Sequence, residues 1–243
     1  MKIKEIIEKI ENFAPLSLAE QWDNTGWQIK LDFDDADKIM LALSPTLDVL
    51  EQAKQHDCSL VITHHPLFFS KLKQITPDVL SNKVAIFAIQ NNIQIYSAHT
   101  NLDKTQGGIN DKLASMLGLF DIEVIDGLVR VGMVEEVSPE QVVLKCKKTL
   151  GCNSVKLINP LGLKNVKKVA ICSGSGSDFI SSVEADIFIT GDVKYHNAIE
   201  VLDKAVLDVG HFESERVILA SLQEILAPWD AVLADEKNPW ELL

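Results

Sequence analysis

Ser59-Leu-Val-Ile-Thr-His-His-Pro66 and Asp186-Ile-Phe-Ile-Thr-Gly-Asp192 follow one pattern, an apolar run and a threonine succeeded by polar groups. Each apolar run is short and rich in β-branched residues, which suits a strand buried on both faces of a parallel sheet. A helix and a further strand follow in each case, and then a second match appears. Ile93-Gln-Ile-Tyr-Ser-Ala-His99-Thr-Asn-Leu-Asp103 pairs with Ala205-Val-Leu-Asp-Val-Gly-His211-Phe-Glu-Ser-Glu215. His99 and His211 lie 112 positions apart, and so do Asp103 and Glu215. Two matches in the same order point to an internal duplication.

Outward from these segments, strands and helices alternate. Residues 2–13 carry Ile3, Ile6, Ile7, Ile10 and Phe13 at helical spacing, and Pro15 ends that helix. Further strands are expected at 38–44 and 168–172, with helices at 47–55, 79–91, 108–117, 178–184 and 197–204. Glu20-Gln-Trp-Asp-Asn-Thr-Gly-Trp27 reads as a polar loop. The class is therefore α/β, with duplicated repeats and largely parallel or mixed sheets. The first repeat is placed at 1–125 and the second at 126–243. A small insertion at about 128–166 contains a strand (128–134), a helix (139–149) and a strand (154–158). The C-terminal segment is expected to return and complete a metal site at the strand carboxyl ends between the repeats.

His64 and His65 end one apolar run, and Pro66 stops the strand beyond them. Successive strand residues point to opposite sides, so the pair cannot enter one tight site without a bend, but it can reach two neighbouring ions from one backbone position. The bland alternative is two half-exposed loop histidines. The His-x3-Asp and His-x3-Glu motifs add nitrogen and oxygen ligands of the kind that zinc, manganese, iron or nickel accept. A carboxylate can bridge two cations where imidazole cannot, which makes Asp103 and Glu215 the candidate bridges. The resulting set is His64, His65, Asp103, His211 and Glu215, holding two divalent metal ions per chain. Ions about 3.5–4 Å apart can activate a shared water for a displacement reaction.

His99 and His196 are candidates for a proton shuttle or for supporting the ligands, and Asp192 for orienting one. Asp192 can instead cap the helix expected near Asn197. Trp22 and Trp27 are expected near the site, with Asn24 fixing their loop. Gly174-Ser-Gly-Ser177 lacks a third glycine and a phosphate-loop lysine, and reads as a turn.

The 243-residue chain is 47% hydrophobic and 24% charged, an ordinary globular balance. Its net charge of −12 argues against nucleic-acid binding, despite scattered lysines such as Lys164 and Lys168. Cys58, Cys146, Cys152 and Cys172 form no CxxC pair and read as buried thiols in a reducing compartment. No apolar run approaches a membrane span, and the N-terminus has no apolar leader core, so a cytoplasmic location is expected.

Taken in order, Glu20-Gln-Trp-Asp-Asn-Thr-Gly26, Ile62-Thr-His-His-Pro-Leu67, His99-Thr-Asn-Leu-Asp103, Thr190-Gly-Asp-Val-Lys-Tyr-His196 and Gly210-His-Phe-Glu-Ser-Glu215 resemble a known family. It is the dinuclear-metal family of Ngg-interacting-factor-like proteins, whose members carry the label GTP cyclohydrolase I type 2 homologue. The resemblance covers nearly the whole chain, in the short form that lacks the long inserted domain of some relatives. Asp192 stands where the family often has glutamate. The resemblance implies the same five metal ligands and a ring-shaped homohexamer, a trimer of dimers. It also implies a metal-dependent hydrolase acting on a nucleotide or related small molecule, though no residue here explains recognition of guanine. The competing reading is a metal chaperone, insertase or storage protein that hands its ions to a metal-acceptor protein without turnover.

Overall fold

The structure, a computed structural model, describes residues 1–241. The chain opens with α1 (Ile3–Phe13), β1 (Gly26–Ile29), β2 (Lys38–Ala42), α2 (Leu47–Gln55), β3 (Cys58–Thr63), α3 (Leu80–Gln90), β4 (Gln94–Ser97) and α4 (Thr100–Lys104). It continues through α5 (Ile109–Met116), β5 (Phe120–Ile125), β6 (Val129–Val137), α6 (Pro139–Leu150), β7 (Lys156–Ile158), β8 (Val166–Ile171) and β9 (Ile187–Thr190). The last elements are α7 (Tyr195–Glu200), β10 (Ala205–Asp208), α8 (His211–Glu215), α9 (Ile218–Ile225) and β11 (Ala231–Leu233). Among these residues no helix is long and apolar enough to cross a membrane.

Two compact units result. Of the described residues, the first comprises 1–105 and 219–237, the second 106–218 and 238–241. The sequence placed the division near 125. It falls earlier because α5 packs on β6 and β8 of the second unit. The first unit holds a five-stranded sheet ordered β1-β4-β3-β2-β11. Strands β4, β3, β2 and β11 run parallel, and β1 lies antiparallel on β4. Its core packs Met40, Val61 and Ile95 of the sheet against Val49, Leu50, Val84 and Ala88 of α2 and α3. Each such aliphatic side chain contributes about 1.5–3 kcal/mol when fully buried.

The second unit holds a six-stranded sheet ordered β5-β6-β8-β9-β10-β7. Strands β8, β9 and β10 are parallel, and β7 lies antiparallel on β10 as β1 does on β4. The duplication read in the sequence therefore extends to sheet topology, and both sheets are mixed. The segment 128–166 contributes β6 and β7 to this same sheet. Its helix α6 matches expectation, with a Ser138–Gln141 capping box, Pro139 in the first turn and Gly151 at the C-cap.

Three local expectations are corrected. The helix expected at 178–184 is only a 3-10 turn, Ser177–Phe179. Gly26 and Trp27, at the end of the polar loop, belong to β1. The helix expected at 197–204 runs Tyr195–Glu200 with Lys194 at its N-cap, so Asp192 does not cap it.

Candidate functional site

In the first unit, three strand ends and one C-terminal segment position the polar groups. The amides of His64 and His65 donate to Ala42 O (3.2 Å) and Leu43 O (2.8 Å), extending the β2–β3 pairing past the last ladder residue. The backbone bends there, and the two imidazoles come to 4.9 Å between centroids, tilted by 48°. The bend is the condition under which alternating strand-end side chains can come to one side. The His99 ring lies 5.0 Å from that of His64, and one nitrogen from each of His64, His65 and His99 lies within 4.8 Å of the others.

Each ring is held through Nδ1. His64, fully buried, has Nδ1 3.0 Å from the carbonyl of Ala98. A carbonyl only accepts, so Nδ1 donates, and Nε2 faces Asp103, whose Oδ1 is 3.9 Å away on α4. His65 Nδ1 meets Ser44 Oγ at 2.8 Å. Glu236, from the C-terminal segment of this unit, accepts from the amides of Leu43 (2.5 Å) and Ser44 (3.0 Å). His99 Nδ1 donates to Asp23 Oδ1 at 2.8 Å, while Asp23 Oδ2 accepts from Thr100 N and Oγ1. Burial pushes the Asp23 carboxyl up, but these bonds from His99 and Thr100 outweigh it and hold the group below the usual aspartate value.

The second unit repeats the device. His211 opens α8, its Nδ1 donates to Asp192 Oδ2 at 2.7 Å, and its Nε2 faces Glu215 Oε2 at 3.0 Å. The shorter carboxylate at 192 thus reaches its imidazole, from a backbone at φ +53°. Burial pulls His211 down, yet Glu215 and Asp192 together lift its pKa to about 9. Glycines make the room. Gly191 lies against the backbone of His211, where a Cβ would stand 2.6 Å from His211 N, and a Cβ on Gly174 would overlap Glu215 Oε1. The Gly174-Ser-Gly-Ser177 turn therefore shapes the floor under Glu215.

The other candidates are placed differently. His196 lies on α7 with its ring 5.6 Å from Tyr195, edge to face. Trp22 stands 6.1 Å from His99, as expected, whereas Trp27 packs on Tyr96 at 5.3 Å. Asn24 does fix its loop, donating to Phe68 O at 2.8 Å. Sequence reading missed Asp23, Ser44 and Glu236, none of which lies in a motif with its histidine.

Paired with this geometry, the whole-chain comparison is decisive. The family model described as Duf34/NIF3 (NGG1p interacting factor 3) matches residues 1–237. The chain belongs to that family. A relative from Clostridium perfringens named GTP cyclohydrolase 1 type 2 homolog is 38% identical, over 92% of this chain and 90% of its own. The solved structure of reduced HcgD from Methanocaldococcus jannaschii is similar at 32% identity and a TM-score of 0.89, covering 97% of this chain and 98% of that one. A hypothetical protein from Staphylococcus aureus shares the fold at 23% identity, with a TM-score of 0.90 and coverage of 100% and 99%. For this Duf34/NIF3 chain, the buried histidine and carboxylate groups are of the kind that hold metal ions.

Proposed function

We propose that this Duf34/NIF3 protein is a metal-dependent hydrolase acting on a nucleotide or related small molecule. Two divalent cations per chain are its cofactors, and the ligands are His64, His65 and Asp103 in the first unit and His211 and Glu215 in the second. The observation that carries the reading is the orientation of the imidazoles. In His64 and His211 an acceptor takes Nδ1 and leaves Nε2 facing a carboxylate, the arrangement by which outer groups fix the tautomer of a metal-ligating histidine. Neutral imidazole nitrogens with carboxylate oxygens suit zinc, manganese, iron or nickel.

When bound, such ions make water a nucleophile near neutral pH and stabilise a developing oxyanion. The chain's own residues supply the remainder. Asp23 holds His99 with the Nδ1 proton in place, so His99 Nε2 can take a proton and return it to a leaving group. The relatives named GTP cyclohydrolase 1 type 2 homolog support a nucleotide as the substrate to test first. A cytoplasmic location and the homohexamer implied by the resemblance belong to the same proposal.

The test is turnover of a nucleotide and phosphoester panel by protein purified without added metal, then chelated and reloaded. Activity lost on chelation and restored on reloading supports the hydrolase. Retained metal with no turnover, or ions that pass to an acceptor protein, would replace it with metal delivery.

A further inference from the structure

We propose that Trp22 and Phe69 form a stacking platform that seats a planar heteroaromatic ring of the substrate beside His99. Trp22 is 66% exposed and Phe69 62% exposed, although both are large apolar side chains. Scattered surface hydrophobics are ordinary, but these two converge on one group. Trp22 stands edge to face on the His99 imidazole at 6.1 Å and 78°, and Phe69 does so at 5.8 Å and 85°. Both come from loops, where side chains with no packing role would be free to disperse.

Those loops are clasped to each other. Asn24 Nδ2 donates to Phe68 O at 2.8 Å, and Gln28 Oε1 accepts from the amides of Leu67 (3.1 Å) and Phe68 (3.3 Å). Gln28 Nε2 donates back to Asn24 O at 2.6 Å. On either side of Trp22, Glu20 N donates to Thr100 Oγ1 (2.9 Å) and Asp23 binds His99. The aromatic pair is thus positioned before any ligand arrives, which reduces the ordering cost of binding. Exposed π faces held by backbone clasps suit a flat ring, which stacks on them regardless of its hydrogen-bonding edge.

The inference rests on the proposed function for its placement of the reaction beside His99, and it adds how the substrate is held. It predicts recognition of the ring as a surface, with little discrimination between purines. Binding of GTP, ATP and inorganic triphosphate to the full-length protein, measured by calorimetry alongside metal content, tests it. GTP and ATP should bind within a few-fold of each other and inorganic triphosphate about tenfold or more weakly. Trp22→Ala and Phe69→Ala should each weaken GTP binding about tenfold while leaving triphosphate unchanged, and Trp22→Phe should restore most of the loss.

Equal binding of GTP and triphosphate, no nucleotide binding by the wild type, or alanine variants that bind GTP normally would each overturn the platform. So would a change in sedimentation of both alanine variants without a change in GTP affinity, which would assign the rings to a second copy of the chain. The two readings separate cleanly. Ring-dependent GTP binding by a chain that takes up no metal leaves the platform standing and removes the metal-dependent hydrolase. Full metal content with ring-independent binding does the reverse.

Discussion

Gly174 and Glu215 occupy neighbouring space that tolerates no side chain on the glycine. A Cβ at Gly174 would overlap Glu215 Oε1 and stand 3.3 Å from His211 Nε2, and the backbone there has φ +61°. Gly174→Ala is therefore expected to displace the Glu215 carboxylate as well as to strain the turn. We predict destabilisation of about 1–3 kcal/mol and a fall in metal affinity of about tenfold or more. Thermal unfolding and metal titration of the same sample measure the two effects. A variant that binds metal normally would show that Glu215 need not sit where it does.

Glu236 should act on His65 through Ser44. Its carboxylate accepts the Leu43 and Ser44 amides, and Ser44 Oγ meets His65 Nδ1. Glu236→Ala leaves two amides without that partner, at about 1–3 kcal/mol each if they stay dry. Ser44→Ala removes only the contact to the ring. The predicted outcome is a large fall in urea midpoint for Glu236→Ala and a small one for Ser44→Ala, with weakened metal binding in both.

Asp192 and Glu215 together hold the His211 imidazolium in the metal-free protein, lifting its pKa to about 9 against the opposing effect of burial. Asp192→Asn keeps the shape and removes one negative charge. The His211 pKa should fall toward the ordinary histidine value, as read from its ring proton shifts during an NMR titration of the metal-free chain. An unchanged pKa would mean that Glu215 alone sets it.

Alkaline stability follows from the thiols. Burial is the largest cause of the upward shift in each of Cys58 and Cys152, pushed up to about 11, and of Cys146, pushed up to about 12. In the unfolded chain a thiol titrates near about 8.5. The folded state thus retains protons that the unfolded state releases, so this stabilisation is intact below about pH 8.5 and is lost as pH rises toward 11. Each thiol can contribute a slope of at most about 1.4 kcal/mol per pH unit in that window. Urea midpoints falling between pH 8.5 and 10.5, less steeply in Cys146→Ala, would bear this out.

The parts of the fold legible in the sequence were those whose signal is local. Ser59–Thr63 and Asp186–Thr190 announced buried parallel strands because an unbroken apolar run, Leu60–Ile62 and Ile187–Ile189, sits at the centre of each, and β3 and β9 occupy those positions. Strand β5 was missed although Phe120–Ile125 alternates apolar with polar residues as a strand does. Strand β11 was hidden because three residues beside Trp229 and Asp230 carry little pattern until β2 is there to pair with them. Among the candidate ligands, His64, His65, Asp103, His211 and Glu215 stood out through their spacing. Asp23 did not, since its hydrogen bond to His99 spans 76 positions, and only the folded chain brings such partners together. The role of Gly174 was likewise invisible, because its constraint is the nearness of Glu215 rather than any feature of the turn itself.

Metal stoichiometry tests the central claim most directly. Elemental analysis of the wild type, Asp103→Ala and Glu215→Ala, each purified without added metal and checked for unchanged secondary structure, counts the ions per chain. Our account predicts about two divalent ions in the wild type and a sharp loss in both variants with the fold retained. Variants that keep the wild-type metal content would contradict the ligand assignment, and a wild-type chain that takes up no divalent metal when supplied with it would contradict the metal centre itself.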